Sequence, residues 1–327
     1  MTKIKLCHII ILTGLPAPLH IRLECVMCPN GRHFFAKKLE VKMEVKKFLT
    51  FEEQLQIIED KGFKISDKKE CLNFLKRVNY YNISAYFIPF KNKDGSYKQD
   101  IDFKHIYKMY EFDRKIRSLI FSIIEEIELF LRIQLSYYFA SHYGALGYMK
   151  SENYNKYHKH DCFSKKIQKE CIVKNINNPI ILHHNEKYDG KIPIWVVVEF
   201  FSIGMLSKFY SDMKTQDKKL ISKEIFNTGF HYLETWLKCL TILRNKCAHY
   251  SRLYNTRFIV RPKLNLDFYK KPYLFEQIVV LKELYIDASN WNNNFMIKVV
   301  DLIKEYENYI NLKDIGFPEN WKEILTK

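Results

Sequence analysis

The run IRSLIFSIIEEIELFLRIQLSYYF, from Ile116 to Phe139, decides the fold. Ile116, Leu119, Ile120, Ile123, Ile124, Ile127, Leu131, Leu135 and Tyr138 recur at three- and four-residue steps. On a helix of about 3.6 residues per turn that spacing stacks them into one buried stripe. Arg114, Arg117, Glu125, Glu128 and Arg132 lie among them. The pattern extends from about Phe103 to His142, and Gly144 and Gly147 terminate it. A helix this long needs other helices to cover its stripe, so the chain is predicted to be mostly α, built as a helical bundle.

The flanks agree. Upstream, Thr50 and Glu53 form a capping box ahead of Leu55, Ile57 and Ile58, and Gly62 ends that helix. Ser66–Glu70 opens a second helix with Leu72, Phe74, Leu75 and Val78 inward, and Pro89 closes the segment from Asn79 to Phe87. Downstream, residues 150–190 are polar and basic and read as a long solvated connection with at most one short helix. Their histidines, His158, His160, His183 and His184, show no compact metal-ligand spacing. Pro193-Ile194-Trp195 opens a segment to Tyr210 whose length favours one helix over a strand. A further helix covers about Tyr232 to Tyr250, with Leu233, Trp236, Leu237, Leu240, Leu243 and Cys247 on its buried side. A last helix is expected near Asn294–Asn311. No repeat is visible.

Composition bounds the rest. The 327 residues are 47% hydrophobic and 15% aromatic, enough for a sizeable core, and Gly (10) and Pro (9) are too scarce for an all-β sandwich or barrel. Lys and Arg total 53 against 37 Asp and Glu, a net +16 that favours polyanionic partners. No stretch approaches the roughly 20 apolar residues of a membrane span. The longest run, Leu6 to Leu15, is broken by His8 and Thr13 and makes a poor signal peptide. The eight cysteines are scattered, as in reduced intracellular proteins, and Cys25-x-x-Cys28 lacks the second ligand pair a zinc site needs.

Residues 1–42 do not match the rest. They carry three of the nine prolines (Pro16, Pro18, Pro29) and no helical period. Met43 as the natural start explains this plainly, and a disordered or targeting leader is the alternative. The chain is therefore divided into a leader (1–42), an N-terminal helical segment (43–100), a helical core (101–262) and a C-terminal helical segment (263–327).

The segment that bears on chemistry is Thr241-Ile242-Leu243-Arg244-Asn245-Lys246-Cys247-Ala248-His249-Tyr250. Arg-x4-His alone is weak, since about a third of chains with this many arginines and histidines would hold one by accident. The blander reading is a helix end where Arg244 pairs with an acid and His249 caps a carbonyl. On a straight helix the two side chains would also point about 140° apart. A helix that ends or bends within the motif, a long Arg side chain wrapping round, or a second subunit would each reconcile them.

Together with this string, four other stretches carry a resemblance. They are Leu75 to Tyr86, Tyr110 to Arg117, Pro193 through Glu199 to Ser207, and Gly316 to Trp321. With them the chain resembles the Abi family of abortive-infection proteins, the AbiD/AbiF-like group, within the HEPN superfamily, over roughly Val45 to Pro262. The resemblance implies a HEPN-like helical bundle and a metal-independent endoribonuclease, with Arg244 and His249 as the catalytic pair and Asn245 beside them. It implies no cofactor, RNA as substrate, a structured small RNA as a further partner, a homodimer completing the site, and a role as a cytoplasmic phage-defence toxin. A non-catalytic RNA-binding module of the same fold, and a protein that mainly recruits a partner, are the competing readings. Deleting residues 1–42 is expected to leave folding and activity intact, checked by the thermal midpoint and by RNA cleavage.

Overall fold

The computed structural model of the chain describes residues 47–265 and 272–327 in full, and residues 6–12, 19–27 and 34–38 as backbone. The chain divides into two compact units, Met1–Thr50 and Phe51–Lys327. In the first, β1 (Leu6–Leu12), β2 (Leu19–Met27) and β3 (Phe34–Lys38) form an antiparallel sheet in that order. Leu12 pairs with Leu19, and Met27 with Phe34. These strands were not expected from the sequence, although the run Ile9–Ile11 is β-branched. Cys28, Met43 and every side chain of the leader, that of Cys25 included, lie outside the described residues, and with them the loose packing expected of the leader, the Cys25–Cys28 pair and the start at Met43.

The second unit is helical. α1 (Phe51–Asp60) starts one residue after Thr50, and Gly62 turns the chain at φ 89°. α2 (Lys68–Leu75) begins where the Asp67 carboxylate accepts from the Glu70 N–H at 2.8 Å. α3 (Tyr80–Ser84) tightens into a 3-10 turn to Phe90. α4 (Phe103–Tyr143) is 41 residues long, roughly 60 Å. Asp102 caps it by accepting from the Lys104 N–H at 2.7 Å, and Gly144 ends it at φ 78°. Then come α5 (His160–Lys166), α6 (Pro179–Lys187), α7 (Ile194–Val197), α8 (Ile203–Asp212), α9 (Thr215–Phe226) and α10 (Phe230–Ala248). α11 (Leu274–Leu284), α12 (Ala288–Asn290), α13 (Ile297–Glu305) and α14 (Trp321–Leu325) complete the chain.

α4 is the axis: α7, α8, α10, α11 and α13 all pack on it. Ile116, Ile120, Ile123, Ile124, Ile127, Leu131 and Leu135 are buried, and Leu119 is partly so. On α10 the expected inward face, Leu233, Trp236, Leu237, Leu240, Leu243 and Cys247, is buried as well. α11 is buried all round from Leu274 to Leu281, with only Lys282 and Glu283 toward solvent, so no polar stripe runs along it in the sequence.

Three expectations are corrected. Residues 150–190 hold two helices rather than at most one: Asn178 caps α6 with Pro179 at its first turn, and Phe163, Ile167, Cys171 and Ile181 are buried. The segment Pro193–Tyr210 is not one helix. Phe201 is extended (φ −71°, ψ 132°), and the Ser202 hydroxyl accepts from the Met205 N–H to restart it as α8. The helix expected near Asn294–Asn311 is shorter and starts earlier, a π-helical turn at Trp291–Met296 leading into α13, and it is not the last, since α14 follows.

One buried charge ties distant segments to α4. The Asp113 carboxylate, fully buried, accepts from the Tyr86 hydroxyl (2.5 Å), the Leu253 N–H (3.0 Å) and the Tyr254 N–H (2.8 Å). Arg117 Nη1 approaches it at 3.3 Å and donates to the Ser251 carbonyl at 2.9 Å. Arg252 lies over the Tyr86 ring, 5.8 Å from its centroid, and donates to the Ala85 carbonyl. Burial pushes the Asp113 carboxyl upward against the opposing pull of the Tyr86 hydroxyl and Arg117. The Tyr86 hydroxyl is pushed far above its usual range, first by burial and then by the Asp113 charge, so it stays a donor.

Two stability outcomes follow from this packing. Trp236 is 4% exposed, with its indole N–H donating to the Lys263 carbonyl at 2.7 Å. Trp236→Ala should cost about 3–5 kcal/mol in denaturant unfolding. Asp113→Ala strands Arg117, a hydroxyl and two backbone N–H groups, and should cost about 3–5 kcal/mol in the same measurement. A loss under 1 kcal/mol would show that the node is relaxed by water.

Candidate functional site

The motif occupies the C-terminal end of α10. The helix stops at Ala248, His249 is the cap at φ −97°, and Tyr250 is left-handed at φ 55°. The Ser251 N–H bonds the Lys246 carbonyl at 2.9 Å and the Tyr250 N–H bonds the Cys247 carbonyl at 3.2 Å. This is a Schellman turn with Tyr in the place glycine usually takes. Immediately beyond it, Ser251, Leu253 and Tyr254 are held by Arg117 and Asp113. His249 is thus fixed between a closed helix end and a pinned stretch of chain, although among the described residues nothing grips its ring.

The two candidate side chains are both accessible but engaged differently. His249 is exposed, and its ring makes no hydrogen bond or ion pair among the described residues. The Arg244 side chain is 32% exposed and turns toward α4, its Nε 3.7 Å from Glu128 Oε2. That Nε is buried without a hydrogen-bond partner. Half of the blander reading therefore holds: Arg244 pairs with an acid, while the imidazole caps no carbonyl. Glu128 also accepts from Arg132, whose Nη1 donates to the Val198 and Glu199 carbonyls at 2.7 and 2.8 Å. Two guanidinium groups share one carboxylate, so the trio carries a net positive charge.

Asn245 is exposed on the same helix end. Lys246 is half-buried with its ammonium 5.7 Å from the Phe258 ring centroid, and burial and then Arg252 lower its pKa. Cys247 is buried and its thiol is pushed up to about 12, chiefly by burial, so it is no nucleophile at neutral pH. In the sequence Glu128 and Arg132 stand only as charges between apolar positions. Their four-residue spacing was a signal, but their meeting with Arg244 depends on how α10 crosses α4.

The histidines of 150–190 are not all solvated. The His158 side chain is 2% exposed, with Nδ1 2.9 Å from Asp212 Oδ2 and Nε2 3.2 Å from His160 Nδ1. Among the described residues no three His, Cys, Asp or Glu side chains gather as a metal-binding group. No helix of the described residues is long and apolar enough to cross a membrane.

No curated protein and no solved structure matches the chain. A family model described as Abi-like protein matches residues 73–255, more than half of the chain. That span contains the Asp113 node, the Glu128–Arg132–Arg244 cluster and the whole motif through Tyr254. The chain belongs to the Abi-like protein family, that of the abortive-infection proteins of phage defence.

Proposed function

We propose that this chain is a HEPN-type, metal-independent endoribonuclease acting as an abortive-infection toxin, with Arg244, His249 and Asn245 at its centre. The observation that carries the reading is an exposed imidazole, unengaged among the described residues and held at a rigid helix end, on the same last turns of α10 that bring Arg244 into a cluster with net positive charge. RNA brings its own nucleophile. The 2′-hydroxyl oxygen attacks phosphorus, the bond to the 5′ oxygen breaks, and a cyclic phosphate and a 5′-hydroxyl result. The protein then has only to move protons and offset charge. His249 takes the 2′ proton or protonates the leaving oxygen. Arg244 grips the non-bridging oxygens as their charge grows. Asn245 holds the phosphate or orients the imidazole.

Since Arg244 is engaged with Glu128 while the exposed His249 ring bonds nothing among the described residues, the reading includes a second copy of the chain. A symmetric pair would set the His249 of one subunit against the Arg244 of the other. The rival is a non-catalytic RNA-binding module, favoured by the engagement of Arg244 with Glu128.

RNA cleavage in EDTA, wild type against His249→Ala, separates the two. His249→Ala should lower the rate by about 10²–10⁴-fold, and Arg244→Ala by about 10²–10³-fold, with the thermal midpoint nearly unchanged. Asn245→Ala should weaken cleavage less. Normal cleavage by folded His249→Ala, or a strict need for a divalent ion, would remove the catalytic assignment.

A further inference from the structure

A second feature of the helical unit lies away from the motif. A cleft of about 660 Å³ opens between the end of α6 (His183, His184, Lys187, Tyr188), the loop Asp189–Pro193, Trp195 on α7, and Ala145–Leu146 just beyond α4. Its size suits a small organic group such as a nucleobase with its sugar. Trp195 is 51% exposed and Tyr188 53%. The other three tryptophans, Trp236, Trp291 and Trp321, are at most 6% exposed. An indole left in water at the mouth of a cleft offers a flat stacking face that folding does not use. Tyr188 extends the aromatic wall, with its ring 5.6 Å from His183 and 5.4 Å from His184 between centroids.

The charge around these rings selects the ligand. Lys187, Lys191 and two imidazoles line the cleft against one carboxylate, Asp189, which stands 4.0 Å from Lys191 in the open. His184 Nδ1 is 2.8 Å from the Ile180 carbonyl. A carbonyl only accepts, so Nδ1 carries a proton and Nε2 remains for a ligand. An aromatic cage for a cation would be flanked by acids, and this one is flanked by bases. Rings plus cations match a base with its phosphate. The rings are reachable only by a base not already stacked in a duplex.

We infer that this cleft is a docking subsite for unpaired nucleotides of single-stranded RNA, with Trp195 and Tyr188 stacking on bases and Lys187 and Lys191 meeting phosphates. RNA as the ligand rests on the function proposed above. Along α4, Glu128 and Tyr143 stand roughly 22 Å apart. A strand held in the cleft therefore reaches the motif over several nucleotides, so the protein selects RNA by an unpaired flank rather than at the cut alone.

The test is the fluorescence of Trp195 in the full-length protein, titrated with an unstructured 2′-O-methyl oligoribonucleotide. That probe lacks the 2′-hydroxyl and is not consumed by cleavage. Binding should quench the emission of the exposed indole, and Trp195→Phe should abolish the quench while keeping most of the affinity. Trp195→Ala should weaken binding, read by polarisation of a labelled oligonucleotide, about 5- to 100-fold. Lys187→Ala and Lys191→Ala should each lower the slope of log affinity against log salt by about 0.7. Duplex RNA should neither quench nor compete. Binding without quench, equal affinity of Trp195→Ala, tighter saturation by a mononucleotide, or displacement by polyglutamate but not by polyuridylate would each overturn the subsite. Quench retained in a protein that fails the cleavage test leaves the subsite standing and removes only the nuclease. Cleavage retained by Trp195→Ala with unchanged affinity does the reverse.

Discussion

The buried Asp113 carboxylate is the constraint on which the rest of the helical unit hangs. A charge fully out of water is tolerable only if nearly every lone pair is occupied. Here the donors come from residues far apart in the chain: Tyr86 before α4, Arg117 one turn along it, and the backbone of Leu253 and Tyr254 after α10. Satisfying one carboxylate therefore fixes the positions of three segments at once. The segment following His249 is one of them, so the geometry of the motif depends on a group about 140 residues earlier.

The same logic operates one level out, at lower cost. Glu128 lies near the surface of the α4–α10 contact and is shared by Arg132 and Arg244. Arg132 in turn closes the turn after α7 by donating to two carbonyls. Helix α4 thus serves three purposes. Its apolar stripe holds the core, its buried acid anchors the chain around the motif, and its half-buried acid sets the direction of Arg244. In the proposed reaction that orientation matters, because a guanidinium is useful only where the phosphate charge develops.

How far this was readable from residues alone differs by element. The stripe from Ile116 to Leu135 and the inward face of α10 follow directly from spacing, since neighbouring turns of one helix decide them. The break at Phe201 and the restart at Ser202 were missed, because Val196 to Tyr210 satisfies a helical period on both sides of the interruption. Helix α11 carries no polar stripe to phase it, being buried all round over its first eight residues. His158 reads as a solvated loop histidine, yet its ring packs on Tyr154 at 3.9 Å and bonds Asp212, partners supplied by tertiary contact.

The sequence by itself determined that the chain is mostly helical, where its longest helix runs, its family, and which string holds Arg244, Asn245 and His249. These are local properties, set by side-chain period, capping and residue order within a few turns. Only the tertiary structure decided that Arg244 faces Glu128, that Asp113 fastens the chain beyond His249, and that Trp195 is left in water. Each of those depends on which helices cross and at what height. Pairing across a crossing is fixed by the packing of whole faces, and no short stretch of residues encodes it.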